Sequence, residues 1–197
     1  MPGMSLHRPS TAVAASAVAL VATLGLAAPA SADVEVHRDP RGDVRQLDAG
    51  GPRSSADVVR LRGEHAGSRL SFALDLADLA GPADSGSVYA GVRMRTPNGT
   101  EFTATANRTD GGKEVVLYRG LGDEVVDCPG LEGRFLSDAD RIAFVVPRSC
   151  VQRPRWVRFG AVVGAGDSTS YADDARRDGR VDRGGLAKLG TRLLRRD

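Results

Sequence analysis

The chain has 197 residues, and its 27 Lys and Arg against 25 Asp and Glu leave a formal net charge of only +2. That balance argues against nucleic-acid binding, which shows as a strongly basic domain. Two cysteines and three histidines, with no CxxC spacing, also provide no zinc-finger pattern.

The first element is a leader. Thr11 to Ala28 is almost unbroken Ala, Val and Leu, preceded by His7 and Arg8 and closed by Ala30-Ser31-Ala32. A basic start, an apolar middle and a small-x-small end make a cleavable export signal. Residues 1–32 are therefore expected to be removed, leaving a secreted chain that begins at Asp33. The apolar run is too short and too rich in Ala for a membrane span, so no transmembrane segment is expected in the mature chain. Cys128 and Cys150 are the only cysteines, and an even pair in an exported chain reads as a disulfide.

Alternation dominates the mature chain. Val59 and Leu61 alternate with Arg60 and Arg62, and beyond Gly67-Ser68 the residues Leu70, Phe72, Leu74 and Leu76 repeat the pattern. A period of two marks strands with one buried face, so these runs predict a hairpin. Val88, Ala90, Val92 and Met94 form the next run, and Pro97-Asn98-Gly99 turns the chain into Phe102, Ala104 and Ala106. Asp110-Gly111-Gly112 leads into Val115 to Tyr118, and a Gly-rich loop covers 119–133. Ile142, Phe144 and Val146, then Val157, Phe159, Ala161 and Val163, complete the series. Short strands at this spacing predict an all-β domain over residues 33–183, an antiparallel β-sandwich with a jelly-roll-like order. Ser168 to Asp182 reads as a long polar loop. Leu186, Leu189 and Leu193 fall at helical spacing, so the basic tail 184–197 is expected as a short helix or a disordered tail.

Two stretches carry a resemblance. One is Asp39-Pro40-Arg41-Gly42-Asp43 followed by Ala56-Asp57-Val58-Val59. The other runs from Val146-Pro147-Arg148-Ser149-Cys150 through Pro154-Arg155-Trp156-Val157 to Tyr171-Ala172-Asp173-Asp174-Ala175. Together they resemble small secreted β-sandwich proteins of high-G+C Gram-positive bacteria. The opening Asp-x-x-Gly-Asp also looks like sugar-binding and redox-sensing sandwich domains. Both likenesses imply a fold and carry over no active site.

No catalytic pattern stands out. Gly166-Asp167-Ser168 has the letters of a GDS-type esterase, but the histidine such an enzyme needs downstream is missing, the last one being His65. A glycosidase needs two carboxylates across a cleft, and spacing alone does not say which acids converge. Calcium suits the acid-rich ends better, since it takes carboxylate and carbonyl oxygens. Asp39 and Asp43 near the start, with Asp173, Asp174 and Asp178 near the end, are the candidate ligands. Arg41-Gly42-Asp43 spells an adhesion tripeptide and equally makes a turn.

A binding surface is expected on the outward strand faces. Trp156 and Tyr89 alternate onto faces shared with Arg93, Arg95 and Arg158. Flat rings stack on sugars, and guanidinium forks hold carboxylate or phosphate. The expectation is a non-catalytic extracellular binding module for cell-wall or anionic polysaccharide. A polysaccharide hydrolase using paired carboxylates, or a domain that binds a protein partner, stands as the alternative.

Overall fold

The computed structural model describes residues 32–47, 53–81, 86–120, 124–166, 171–182 and 186–196. The export signal expected over residues 1–32 lies outside them, apart from Ala32.

Two antiparallel sheets form a sandwich. Five strands build the first: β1 (Asp33–Arg38), β3 (Val58–His65), β4 (Arg69–Leu76), β9 (Glu132–Leu136) and β10 (Arg141–Pro147). Their spatial order is β1-β3-β4-β10-β9. The second sheet contains β2 (Arg45–Gln46), β5 (Val88–Arg95), β6 (Glu101–Thr109), β7 (Gly112–Arg119) and β8 (Glu124–Val126). It also holds β11 (Trp156–Ala165), β12 (Tyr171–Asp174) and β13 (Leu194–Arg195). Its order is β2-β12-β11-β5-β6-β7-β8, with β13 paired to β11. The hairpin expected around Gly67-Ser68 is β3–β4, and Pro97-Asn98-Gly99 joins β5 to β6.

The inward residues of the alternating runs make one core. Leu70, Phe72 and Leu74 of β4 and Ile142, Phe144 and Val146 of β10 face Val88, Val92 and Met94 of β5 and Phe159 of β11. Burying each such side chain contributes roughly 1.5–3 kcal/mol. The rings of Phe72 and Phe159 meet across the sandwich with centroids 5.2 Å apart. Space for Phe159 depends on Gly63, where a Cβ would stand 2.4 Å from the ring.

The end of the chain departs from expectation. No helix forms over the described residues 186–196; instead β13 pairs Arg195 with Trp156 and Leu194 with Val157. The reason lies in β11. Its second half, Val162 to Ala165, is covered by β12, which occupies part of the stretch expected as a loop. The first half would otherwise present an unpaired edge. Gly190 N–H donates to Phe159 O and Arg196 N–H to Arg155 O, both at 2.9 Å, while Leu194 is fully buried. An isolated helix of this length is marginal in water, so ladder pairing and burial win.

Cys128, between β8 and β9, is bonded to Cys150 in the 3-10 turn after β10. No helix among the described residues is long and apolar enough to cross a membrane.

Candidate functional site

Trp156 opens β11, and the pairing with β13 sets Arg195 directly across from it. Arg155 and Arg196 flank that pair, joined by the Arg196 N–H to Arg155 O bond. These four residues line a groove of about 500 Å³. Trp156 is half-buried and the three arginines are exposed. Two residues further along β11, Arg158 continues the same outward face, opposite Arg95 of β5. None of these five arginines forms an ion pair among the described residues.

Beneath them Arg148 is buried, its guanidinium donating to the carbonyls of Gly67 and Arg153. Burial first, then the charges of Arg196 and Arg153, push its pKa down. The end of the second sheet thus gathers guanidinium groups around one indole ring, with the Asp33 carboxylate accepting the Arg195 N–H at 2.7 Å beside them.

The other two expected face residues lie elsewhere. Tyr89 stands opposite Gly164, roughly 25 Å along β11 from Trp156 at about 3.3 Å per residue. Its ring lies over Gly91, where a Cβ would stand 2.9 Å from the phenol oxygen. Burial, then the neighbouring Tyr118, raises its pKa. Arg93 is engaged internally: its guanidinium binds both carboxylate oxygens of Glu101 at 2.8 and 2.9 Å and donates to Ala187 O at 3.1 Å. Arg95, Arg158 and Trp156 remain together. Arg155, Arg195 and Arg196 were not among the expected residues; two of them sit in the tail, where a helical reading separates them from Trp156.

A second constellation forms where the two ends of the domain meet. Asp39 follows β1, Asp43 lies in the turn before β2, Asp57 precedes β3, Asp173 belongs to β12, and Asp178 sits in the turn after it. Oxygens of Asp39, Asp43 and Asp178 lie within 4.8 Å of one another, as do those of Asp43, Asp57 and Asp173. Three backbone amides each hold one carboxylate oxygen. Gly42 N–H donates to Asp57 at 2.9 Å, Val58 N–H to Asp173 at 2.9 Å and Gly179 N–H to Asp43 at 2.8 Å. Gly42 and Gly179 both have φ in the left-handed region, at 85° and 65°, which glycine adopts without strain and which aims these amides inward.

Burial and mutual repulsion act on these acids. Desolvation, then Asp173 and Asp43, raises the Asp39 pKa to about 8. Desolvation raises that of Asp173 to about 7 against the Val58 amide, with Asp43 and Asp57 adding to the rise. Of the acids expected to converge, Asp174 does not. It faces the opposite side of β12 and accepts from Lys188 N–H at 2.9 Å, Arg176 N–H at 3.2 Å and the Arg177 side chain at 2.8 Å. Asp57 takes the place expected for it.

Neither a family model, nor a curated protein, nor a solved structure matches the chain. Function therefore rests on the residues and their geometry.

Proposed function

We propose that the protein is a non-catalytic extracellular module that binds anionic polysaccharide, cell-wall polymers included, along the Trp156 groove. The observation that carries this reading is the lining of that groove by Trp156 with Arg155, Arg195 and Arg196 and, among the described residues, by no carboxylate. Guanidinium groups without an ion-pair partner among the described residues, beside a flat ring, match a polymer that alternates sugar faces with carboxylate or phosphate. Arg158 and Arg95 extend the charge over a length suited to a chain rather than to a single small anion. The leader over residues 1–32 and the Cys128–Cys150 disulfide support an extracellular setting.

Two features weigh against the alternatives. Of the acids that converge, Asp39, Asp57 and Asp173 are buried, and backbone amides hold Asp43, Asp57 and Asp173, whereas a glycosidase pair flanks an open cleft. The exposed large apolar residues, Val36, Leu47, Tyr89, Val125 and Leu136, are dispersed over separate elements and offer little to a protein partner.

The test is retention of the purified chain on isolated bacterial cell walls and on immobilised polygalacturonate, over a salt series. Retention is expected to fall with salt, as screening requires. It is also expected to be lost in Trp156→Ala and in the double variant Arg195→Ala/Arg196→Ala, with circular dichroism confirming the fold. Binding by both folded variants equal to that of the parent sinks the reading, as does no retention on any matrix.

A further inference from the structure

The acids where the beginning and the end of the domain meet pose a problem that no group among the described residues solves. Asp39, Asp57 and Asp173 are 8 %, 5 % and 1 % exposed. Both oxygens of Asp39 and the Oδ1 atoms of Asp43, Asp57 and Asp173 are buried without a hydrogen-bond partner. No Lys or Arg pairs with these four residues or with Asp178 among the described residues. Arg176 pairs with Glu35 instead, and Arg177 with Asp174 and Asp182. Unpaired buried carboxylates carry a heavy desolvation penalty, and like charges in one pocket add to it.

Protons relieve part of this, in keeping with the raised pKa values of Asp39 and Asp173. Each proton, however, supplies one hydrogen bond, and five oxygens wait. A hard cation satisfies all of them at once and cancels charge as it does so.

We infer that Asp39, Asp43, Asp57 and Asp173, with Asp178 at the rim, form a calcium site that fastens the beginning of the β-sandwich to its end.

The donor set favours calcium over other ions. Each triad offers three carboxylate oxygens within 4.8 Å of one another, close enough for one oxygen-coordinated ion to bridge. Magnesium demands near-ideal octahedral geometry and keeps several waters, so a cluster of protein carboxylates suits it less. Zinc prefers nitrogen and sulfur, and both triads consist of aspartates alone.

The way the acids are held points the same way. In Asp43, Asp57 and Asp173 one oxygen accepts a backbone N–H while the other is buried and unpartnered. Amide bonds of this kind orient ligands around a metal from outside the first coordination layer. A merely solvated acid patch has no need of such bonds, and Asp174, which has no place in either triad, finds ordinary partners instead.

The experiment uses the whole purified chain, stripped with EGTA and then titrated with calcium chloride or magnesium chloride, read by calorimetry and thermal unfolding. One calcium ion per chain is expected. Tm should rise by about 5–10 °C at saturation, which about 10 mM provides for an extracellular site, and much less with magnesium. Asp57→Asn and Asp173→Asn should raise the Tm of the stripped chain by relieving repulsion, yet abolish the calcium-dependent rise. Asp174→Asn should keep the rise. A parent chain that neither binds calcium nor shifts in Tm overturns the inference, and so does a shift that survives both Asp57→Asn and Asp173→Asn. Should either variant fail to fold, the calorimetric titration of the parent decides alone.

Discussion

The carbonyl of Lys188 lies on Gly160: a Cβ at position 160 would stand 1.9 Å from Lys188 O and 2.7 Å from its carbon. The outward face of β11 is closed at this point by backbone, which cannot swing aside as a long side chain can. Gly160→Ala is therefore expected to displace the segment that carries β13, at a cost of about 1–3 kcal/mol. Urea unfolding measures the loss, and limited proteolysis should cleave first after Lys188 or Arg192. A variant as stable and as protease-resistant as the parent contradicts this packing.

Arg176 and Glu35 form an ion pair at 2.7 Å with both side chains only 9 % exposed. The Arg176 guanidinium also sits 5.1 Å from the centre of the Phe159 ring. Removing one partner leaves the other charge buried, so Glu35→Ala should cost roughly 3–5 kcal/mol. Glu35→Ala/Arg176→Met should recover much of that, because no charge is stranded. Additive losses in this double-mutant cycle would show that the pair is not coupled.

His65 supplies a pH dependence. Its Nδ1 lies 3.1 Å from Leu194 O, which requires Nδ1 to carry the proton and leaves the buried Nε2 without a partner. Burial lowers its pKa from 6.5; the Leu194 carbonyl opposes this and Arg148 and Arg196 reinforce it. A base that protonates more readily when unfolded makes the unfolded chain bind more protons below about pH 6.5. The His65 contribution should then fall as pH drops from about 6.5 toward the lowered folded value, while Asp39 and Asp173, raised to about 8 and about 7 in the fold, contribute with the opposite sign over the same range. Thermal melts from about pH 7.5 to 5 would show the His65 contribution as a loss of stability in the parent relative to His65→Gln that grows toward the acid end. Parallel profiles for the two proteins would assign the dependence to another group.

The disulfide closes a loop with a sequence separation of 22. On the chain-entropy account its loss in Cys128→Ala/Cys150→Ala costs about 3 kcal/mol. Urea midpoints of the parent with and without reductant, beside the double variant, check the figure. A reduced parent as stable as the oxidised one would contradict it.

The strand faces are legible in the sequence because a period of two records burial locally. Leu70, Phe72 and Leu74, or Val157, Phe159 and Ala161, declare their side of the sheet without help from distant residues. The binding face is only partly legible. Alternation places Trp156 and Arg158 on one side of β11, yet it does not say how far along the ladder Tyr89 stands or that Glu101 occupies Arg93.

Asp39, Asp43, Asp173 and Asp178 are apparent as acids near the two ends, whereas Asp57 passes for a strand-end residue. Alternation cannot rank Asp173 against Asp174 until β12 exists to point them to opposite faces. The tail is the clearest case. Leu186, Leu189 and Leu193 suit a helix locally, but the free half of β11 offers hydrogen bonds and a buried place for Leu194 that a short solvated helix lacks.

What the sequence determines by itself is everything set by neighbours a few residues apart: the strands, their inward faces, the hairpin turns and the pairing of two lone cysteines. What only the tertiary structure decides is set by meetings across the chain. The Val58 amide reaches Asp173 over 115 positions and the Gly179 amide reaches Asp43 over 136. Such contacts depend on strand order and on which edges remain unpaired, and local periodicity carries no information about either.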